Sequence, residues 1–231
     1  MVERVYHTQQ STCVNKHNFY IDQAIQYAEV YREMIDVLLT APDTDEIHLY
    51  INTPGGSASI GINIVNAMRN CRAKITGHLM AECHSMGTFI FLECDEYVVN
   101  EDILLLFHAY SGWNFGKGND SVISAQKNHK WLAEFFRKVY YPFFSYEEID
   151  TIMPEDGQGA TDYYLYYDDM VTRLKNVMAW REQQDVKAEA EHLKAVLEAL
   201  KEDKEDGSED TETLHTPSSE EPTVSDHNND S

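Results

Sequence analysis

Three polar side chains stand at the ends of short apolar runs, where α/β folds present their chemistry, and their types are those used in nucleophilic catalysis. Ser85 follows a strand-like segment and precedes Met86-Gly87; His108 closes the apolar run Ile103-Leu104-Leu105-Leu106-Phe107; Asp162 precedes Tyr163-Tyr164-Leu165. Each also admits a plainer reading. A serine at a helix start is ordinarily an N-cap, a strand-end histidine is ordinarily a satisfied structural residue, and an aspartate ahead of a strand says little alone. His84 adjoins Ser85, but side chains one residue apart point in different directions, so it is poorly placed as that serine's base. Cys83 is a rival nucleophile, since a thiolate needs no strong base, although no positive feature favours it. The histidines show no H-E-x-x-H or similar metal-ligand spacing.

The elements that must position these residues read as repeated β-α units. Residues 24–39 place apolar side chains at helical spacing, and Ala41-Pro42-Asp43 ends that helix. A β-rich strand over 46–51 leads into the sharp loop Asn52-Thr53-Pro54-Gly55-Gly56, after which Ser57 or Ser59 can cap an amphipathic helix over 60–68. A strand over 74–79, a second loop, an apolar helical segment over 86–92 and two short strands over 97–99 and 103–107 follow. Such alternation predicts an α/β domain of mostly parallel strands with right-handed crossovers. A long helix over 121–141 then carries Trp131, Phe135, Phe136 and Tyr140, which are either core or helix-packing residues.

The chain has 231 residues, enough for one sizeable domain with its own core. Its 40 acidic residues against 18 Lys and Arg give a formal charge of -22, which argues against a phosphate-tracking surface and against an anionic membrane partner. The charge is concentrated at the end: residues 201–231 hold eleven acidic residues and two lysines, with Leu214 and Val224 as the only large aliphatics. That composition predicts a protein domain over 1–200, closing on a helix over 186–200, and a disordered acidic tail over 201–231. Cys13, Cys71, Cys83 and Cys94 are scattered without C-x-x-C spacing, and no apolar stretch follows a basic start. The expected compartment is a reducing cytoplasm, without secretory signal or membrane-spanning helix.

Taken in order, these motifs resemble one family. Leu49-Tyr50-Ile51-Asn52-Thr53-Pro54-Gly55-Gly56 is similar to the strand and glycine loop of ClpP, the proteolytic subunit of the Clp protease. His84-Ser85-Met86-Gly87 is similar to its nucleophile motif, at the family's separation from Gly55. His108 falls where the family has its general base, and Asp162-Tyr163-Tyr164-Leu165 with Asp168-Asp169-Met170-Val171 resembles its aspartate-plus-helix segment. The resemblance covers residues 19–177. It implies a ClpP/crotonase-like α/β fold with a protruding handle helix over 121–141. The function it implies is an ATP-dependent-type serine endopeptidase: Ser85 as nucleophile, His108 as base, Asp162 orienting the imidazole, and the backbone N–H groups of Gly56 and Met86 as the oxyanion hole. Gly55, lacking Cβ, lets the loop lie close to an extended substrate. Protein or peptide substrates, two heptameric rings and an AAA+ unfoldase supplied in trans are the implied partners, with no nucleic acid, membrane, metal or cofactor.

The chain departs from the family pattern at His84, at Glu93-Cys94, over 109–113 and at Leu174, and in this it looks like the ClpP-like proteases of bacteriophages, which would act in a host cytoplasm. The alternatives are a crotonase-like acyl-CoA enzyme, which shares the broad fold, and a catalytically silent ring subunit.

Overall fold

Alternation of branched apolar and polar residues makes Glu46–Thr53 (β2) a strand with one wet face, and its neighbours follow the same logic. The computed structural model describes residues 14–111, 119–155 and 158–206. Around β2 the sheet gathers Lys16–Ile21 (β1), Lys74–His84 (β3), Glu96–Val99 (β4), Leu104–Phe107 (β5) and Tyr163–Leu165 (β6). The order is β1-β2-β3-β5-β6, with β4 also paired to β3. All pairings are parallel except β5 with β6. Ile47, Leu49, Ile51, Ile75, Leu79, Cys83, Leu105 and Phe107 are buried among the helices. Those helices are Arg32–Thr40 (α1), Ala58–Arg69 (α2), Met86–Leu92 (α3), Asn119–Tyr140 (α4), Tyr146–Ile152 (α5) and Tyr167–Asp206 (α6). The other face of β1, β2 and β3 is half-exposed and aromatic: Tyr50 stacks on Tyr20 and on His78, and His48 Nδ1 meets His78 Nε2 at 2.9 Å.

Three local expectations are corrected. No continuous helix spans 24–39: the backbone N–H and C=O of Ile25 bond instead to the glycine loop, and a short 3-10 turn over Ala28–Tyr31 precedes α1. No loop separates Leu79 from Ser85, because β3 runs on to His84 by exchanging neighbours. Its Thr76–Leu79 half pairs with β4, and Glu82, Cys83 and His84 pair with Leu104, Leu105 and Leu106 of β5. Finally, α6 continues through Asp206 and so takes in the first six residues of the expected tail, while 207–231 lie outside the described residues.

The chain divides into two compact units, Met1–Trp180 and Arg181–Ser231. The first holds the sheet and the core. In the second, the described residues form the distal part of α6, where Val186, Leu193 and Leu197 are exposed. No helix among the described residues is long and apolar enough to cross a membrane.

Candidate active site

The turn from β3 into α3 holds the first candidate. Ser85 occupies the N-cap position of α3, yet its hydroxyl makes no capping bond and its backbone sits at φ 53°, ψ −123°. Among the described residues it is the one non-glycine with positive φ. Such a conformation costs about 1–3 kcal/mol and persists only where the surroundings enforce it. Here they do. Ser85 N–H donates to Leu106 O at 2.8 Å, and Ser85 O accepts from Thr88 N–H at 2.9 Å and from Thr88 Oγ1 at 2.7 Å. The N-cap reading therefore fails on both its side chain and its backbone: the hydroxyl is kept out of the helix end at the head of a sharp strand-to-helix turn.

The glycine loop is pressed against that turn. A Cβ on Gly55, at φ 84°, would come within 2.5 Å of His84 O and 2.7 Å of Ser85 Cβ, so only glycine fits. Gly55 N–H is held by Thr53 Oγ1 at 3.1 Å, and Thr53 Oγ1 donates to Gln23 O at 2.6 Å. A parallel bridge joins Ile25 to Gly56: Ile25 N–H donates to Gly55 O, and Ser57 N–H donates to Ile25 O. In a parallel bridge that uses both groups of Ile25, Gly56's own N–H is directed to the other edge of the loop. Met86 is the first residue of α3, so its N–H has no acceptor within the helix.

The second pair comes from the other end of the sheet. Antiparallel register sets Leu105 opposite Leu165, Leu106 opposite Tyr164 and Phe107 opposite Tyr163; His108 directly follows the last of these pairs in β5, and Asp162 directly precedes it in β6. His108 is half-buried and Asp162 is exposed. Ser85, Met86, Gly56 and His108 line one cavity of about 830 Å³, together with the apolar side chains of Phe89, Trp131, Leu132 and Phe136. Asp162 and His84 do not line it. No hydrogen bond among the described residues yet closes Ser85 to His108 or His108 to Asp162, and in sites without substrate such bonds are often long. The elements thus gather four of the six expected residues in one cavity; Gly55 packs against the Ser85 turn, and Asp162 lies outside the cavity, just ahead of β6.

Cys83 is eliminated as a nucleophile. It is fully buried, and burial pushes its thiol far above the ordinary range, so no thiolate is available. His84 is half-buried with its Nε2 enclosed and without a hydrogen-bond partner among the described residues. No group of three or more His, Cys, Asp or Glu among the described residues could hold a metal. On the expected aromatic helix, Phe135, Phe136 and Tyr140 are buried core, whereas Trp131 is 50% exposed.

Two groups beside the site escaped the sequence reading. Thr88 is the one polar side chain in the otherwise apolar α3, which is a usable signal, and it bonds Tyr140 Oη at 2.9 Å. Arg173 of α6 bonds Glu148 through both Nη atoms, Tyr163 Oη at 3.0 Å and Phe143 O at 3.0 Å, tying β6 to α5. No local pattern announces it.

A sequence model of the Clp protease family matches residues 3–131. The ATP-dependent Clp protease proteolytic subunit 2 of Mycolicibacterium paratuberculosis is 31% identical over 150 residues, covering 61% of this chain and 74% of that relative. The ATP-dependent Clp protease proteolytic subunits of Streptococcus suis and Streptococcus pneumoniae are each 46% identical over 55 residues, 23% of this chain and 28% of theirs. Gly56, Ser85, Met86 and His108 fall inside the family match, and Asp162 falls beyond it.

Proposed function

Because the chain belongs to the Clp protease family and is a serine peptidase, we propose that Ser85 is its nucleophile, His108 its general base and Asp162 the group that orients His108. The observation that carries this reading is the enforced positive φ of Ser85, which leaves the hydroxyl uncapped in the cavity that His108 also lines. Ser85 Oγ attacks the scissile carbonyl carbon as His108 accepts the hydroxyl proton. The same proton passes to the departing amine as the C–N bond breaks, leaving an acyl-serine. Water then attacks the acyl carbon, giving its proton to His108 and releasing the carboxylate as Ser85 recovers its hydrogen. Gly56 and Met86 N–H groups receive the negative oxygen of each tetrahedral intermediate, each donor typically worth about 2.7–4 kcal/mol to the barrier.

Family membership implies an oligomeric ring acting on protein substrates. The finer assembly we propose is two stacked rings of seven with residues 121–141 at the ring-to-ring contact, fed by an AAA+ unfoldase in the cytoplasm. Enclosing the sites in a chamber is how a triad with little selectivity of its own would spare folded proteins.

A fluorophosphonate probe with peptide mapping tests the site. Label is expected on Ser85, and it disappears with peptide hydrolysis in Ser85→Ala; label on Cys83, or none, overturns the assignment. Native mass spectrometry tests the assembly, which an active, strictly monomeric species would exclude.

A further inference from the structure

We infer that Thr88 and Tyr140 are positioning residues that lock the Ser85–Met86 peptide plane, and with it the direction of the Met86 N–H. The inference rests on Ser85 as nucleophile and Met86 N–H as an oxyanion donor, and adds to them two side chains that touch no reacting atom.

The order of the hydrogen bonds is set by chemistry. Ser85 O can only accept, so Thr88 Oγ1 must donate its single proton there, at 2.7 Å. The 2.9 Å contact between Thr88 Oγ1 and Tyr140 Oη is then a bond donated by the tyrosine. Both residues are 0% exposed, so no water competes for these partners. Burial also pushes the Tyr140 phenol up, which keeps it a donor throughout the working pH range. The chain therefore runs one way, from Tyr140 to Thr88 to Ser85 O.

Its consequence follows from the geometry of the amide. In a planar trans peptide the C=O of Ser85 and the N–H of Met86 point in opposite directions, so fixing the oxygen fixes the hydrogen. A flip of this plane would carry the Met86 N–H away from the cavity. Two bonds from Thr88, one from its amide and one from its hydroxyl, oppose that flip at a residue whose own backbone is strained.

Tyr140 is in turn rigidly seated. Its ring stacks on Phe89 at 4.3 Å between centroids and meets Phe107, Phe136 and Phe144 edge-on. Phe89 lies four residues after Ser85, and Phe107 immediately precedes His108. One tyrosine on α4 thus braces both the nucleophile turn and the strand that delivers the base.

The test compares the full chain with Thr88→Val, which keeps the shape and removes the hydroxyl, Thr88→Ser, which keeps the hydroxyl, and Tyr140→Phe, which keeps the ring. Thr88→Val is expected to lower kcat about 10- to 100-fold with KM changed less than about twofold, the signature of a loss confined to the transition state. Affinity for a peptide boronate, whose tetrahedral adduct needs the same donors, should fall in step. Thr88→Ser should restore most of kcat, and Tyr140→Phe should give a smaller loss in the same direction. Wild-type kcat in folded Thr88→Val and Tyr140→Phe would overturn the inference. So would a loss that only follows a lowered thermal midpoint and is not restored by serine. Fluorophosphonate labelling of the wild-type chain separates the two levels: absence of label on Ser85 overturns the nucleophile assignment and this inference with it, whereas labelled wild type with an unaffected Thr88→Val overturns the inference alone.

Discussion

The two halves of the site are built differently. Around Ser85 every neighbour is buried or backbone-bonded: Gly55 packs on the turn, Leu106 and Thr88 hold its backbone, and Phe89 and Tyr140 close the space behind. Around His108 the support is thin. The histidine is half-buried at the end of a four-residue strand, and Asp162 is exposed ahead of a three-residue one. The difference suits the proposed roles: a strained nucleophile has to be over-determined by its surroundings, whereas a base that must collect and return a proton gains from room to reorient. A substitution that crowds the packed Ser85 turn should therefore cost stability and activity together, and one at the exposed Asp162 activity alone.

The largest expected separation is at Asp162. Asp162→Asn should lower kcat by up to roughly 10⁴-fold through loss of imidazole orientation, with a thermal midpoint close to that of the wild type because the residue is exposed. Kinetics and calorimetry on the same sample check this, and a large drop in midpoint would show Asp162 to be structural. Gly55→Ala should do the reverse. Its Cβ would collide with backbone at a positive φ, so a loss of about 1–3 kcal/mol in denaturant unfolding should accompany loss of Ser85 labelling. Full labelling in that variant would mean that the turn is less constrained than its packing shows.

A smaller effect is expected at the anchor of β6. Glu148 accepts from Arg173, while Arg173 donates to Tyr163 Oη, the residue next to Asp162. Arg173 holds the Glu148 carboxyl below its ordinary value of 4.5, with Ser145 adding to the shift. A depressed folded value places the stabilisation above the unfolded pKa, and it is lost as pH falls through the folded value. Glu148→Gln should cost about 1–2 kcal/mol near neutrality and flatten the acid limb of the stability profile. An unchanged acid limb would remove this pair from the account. The smallest effect belongs to His84→Ala, which should keep kcat within about twofold, since the imidazole does not line the cavity. A loss equal to that of His108→Ala would exchange the two histidines' roles.

The legible parts of the molecule were those signalled locally. Turn residues bound β2, the Pro-Gly-Gly loop marks its end, and Ser85 precedes a short run that is apolar apart from Thr88. The order Ser85, His108, Asp162 added what separate motifs could not. Less legible was anything decided across the chain. β1 reads as Lys-His-Asn-Phe-Tyr-Ile, too polar to stand out until β2 pairs with it. The helix expected over 24–39 lost its first turns because the Ile25 backbone was claimed by the glycine loop thirty residues on. Thr88 and Tyr140 are 52 residues apart, and neither carries a mark of the other.

On the proposed assignment of Ser85, its positive φ also acts as a filter on the alphabet of possible nucleophiles. Cysteine has the same unbranched skeleton and could occupy the turn, exchanging alkoxide chemistry for thiolate chemistry without moving the backbone. Threonine could not: a branched Cβ at φ 53° meets the neighbouring backbone, so the extra methyl group is refused although the hydroxyl is the same. The chemical future of this position is open to sulfur and closed to a secondary alcohol.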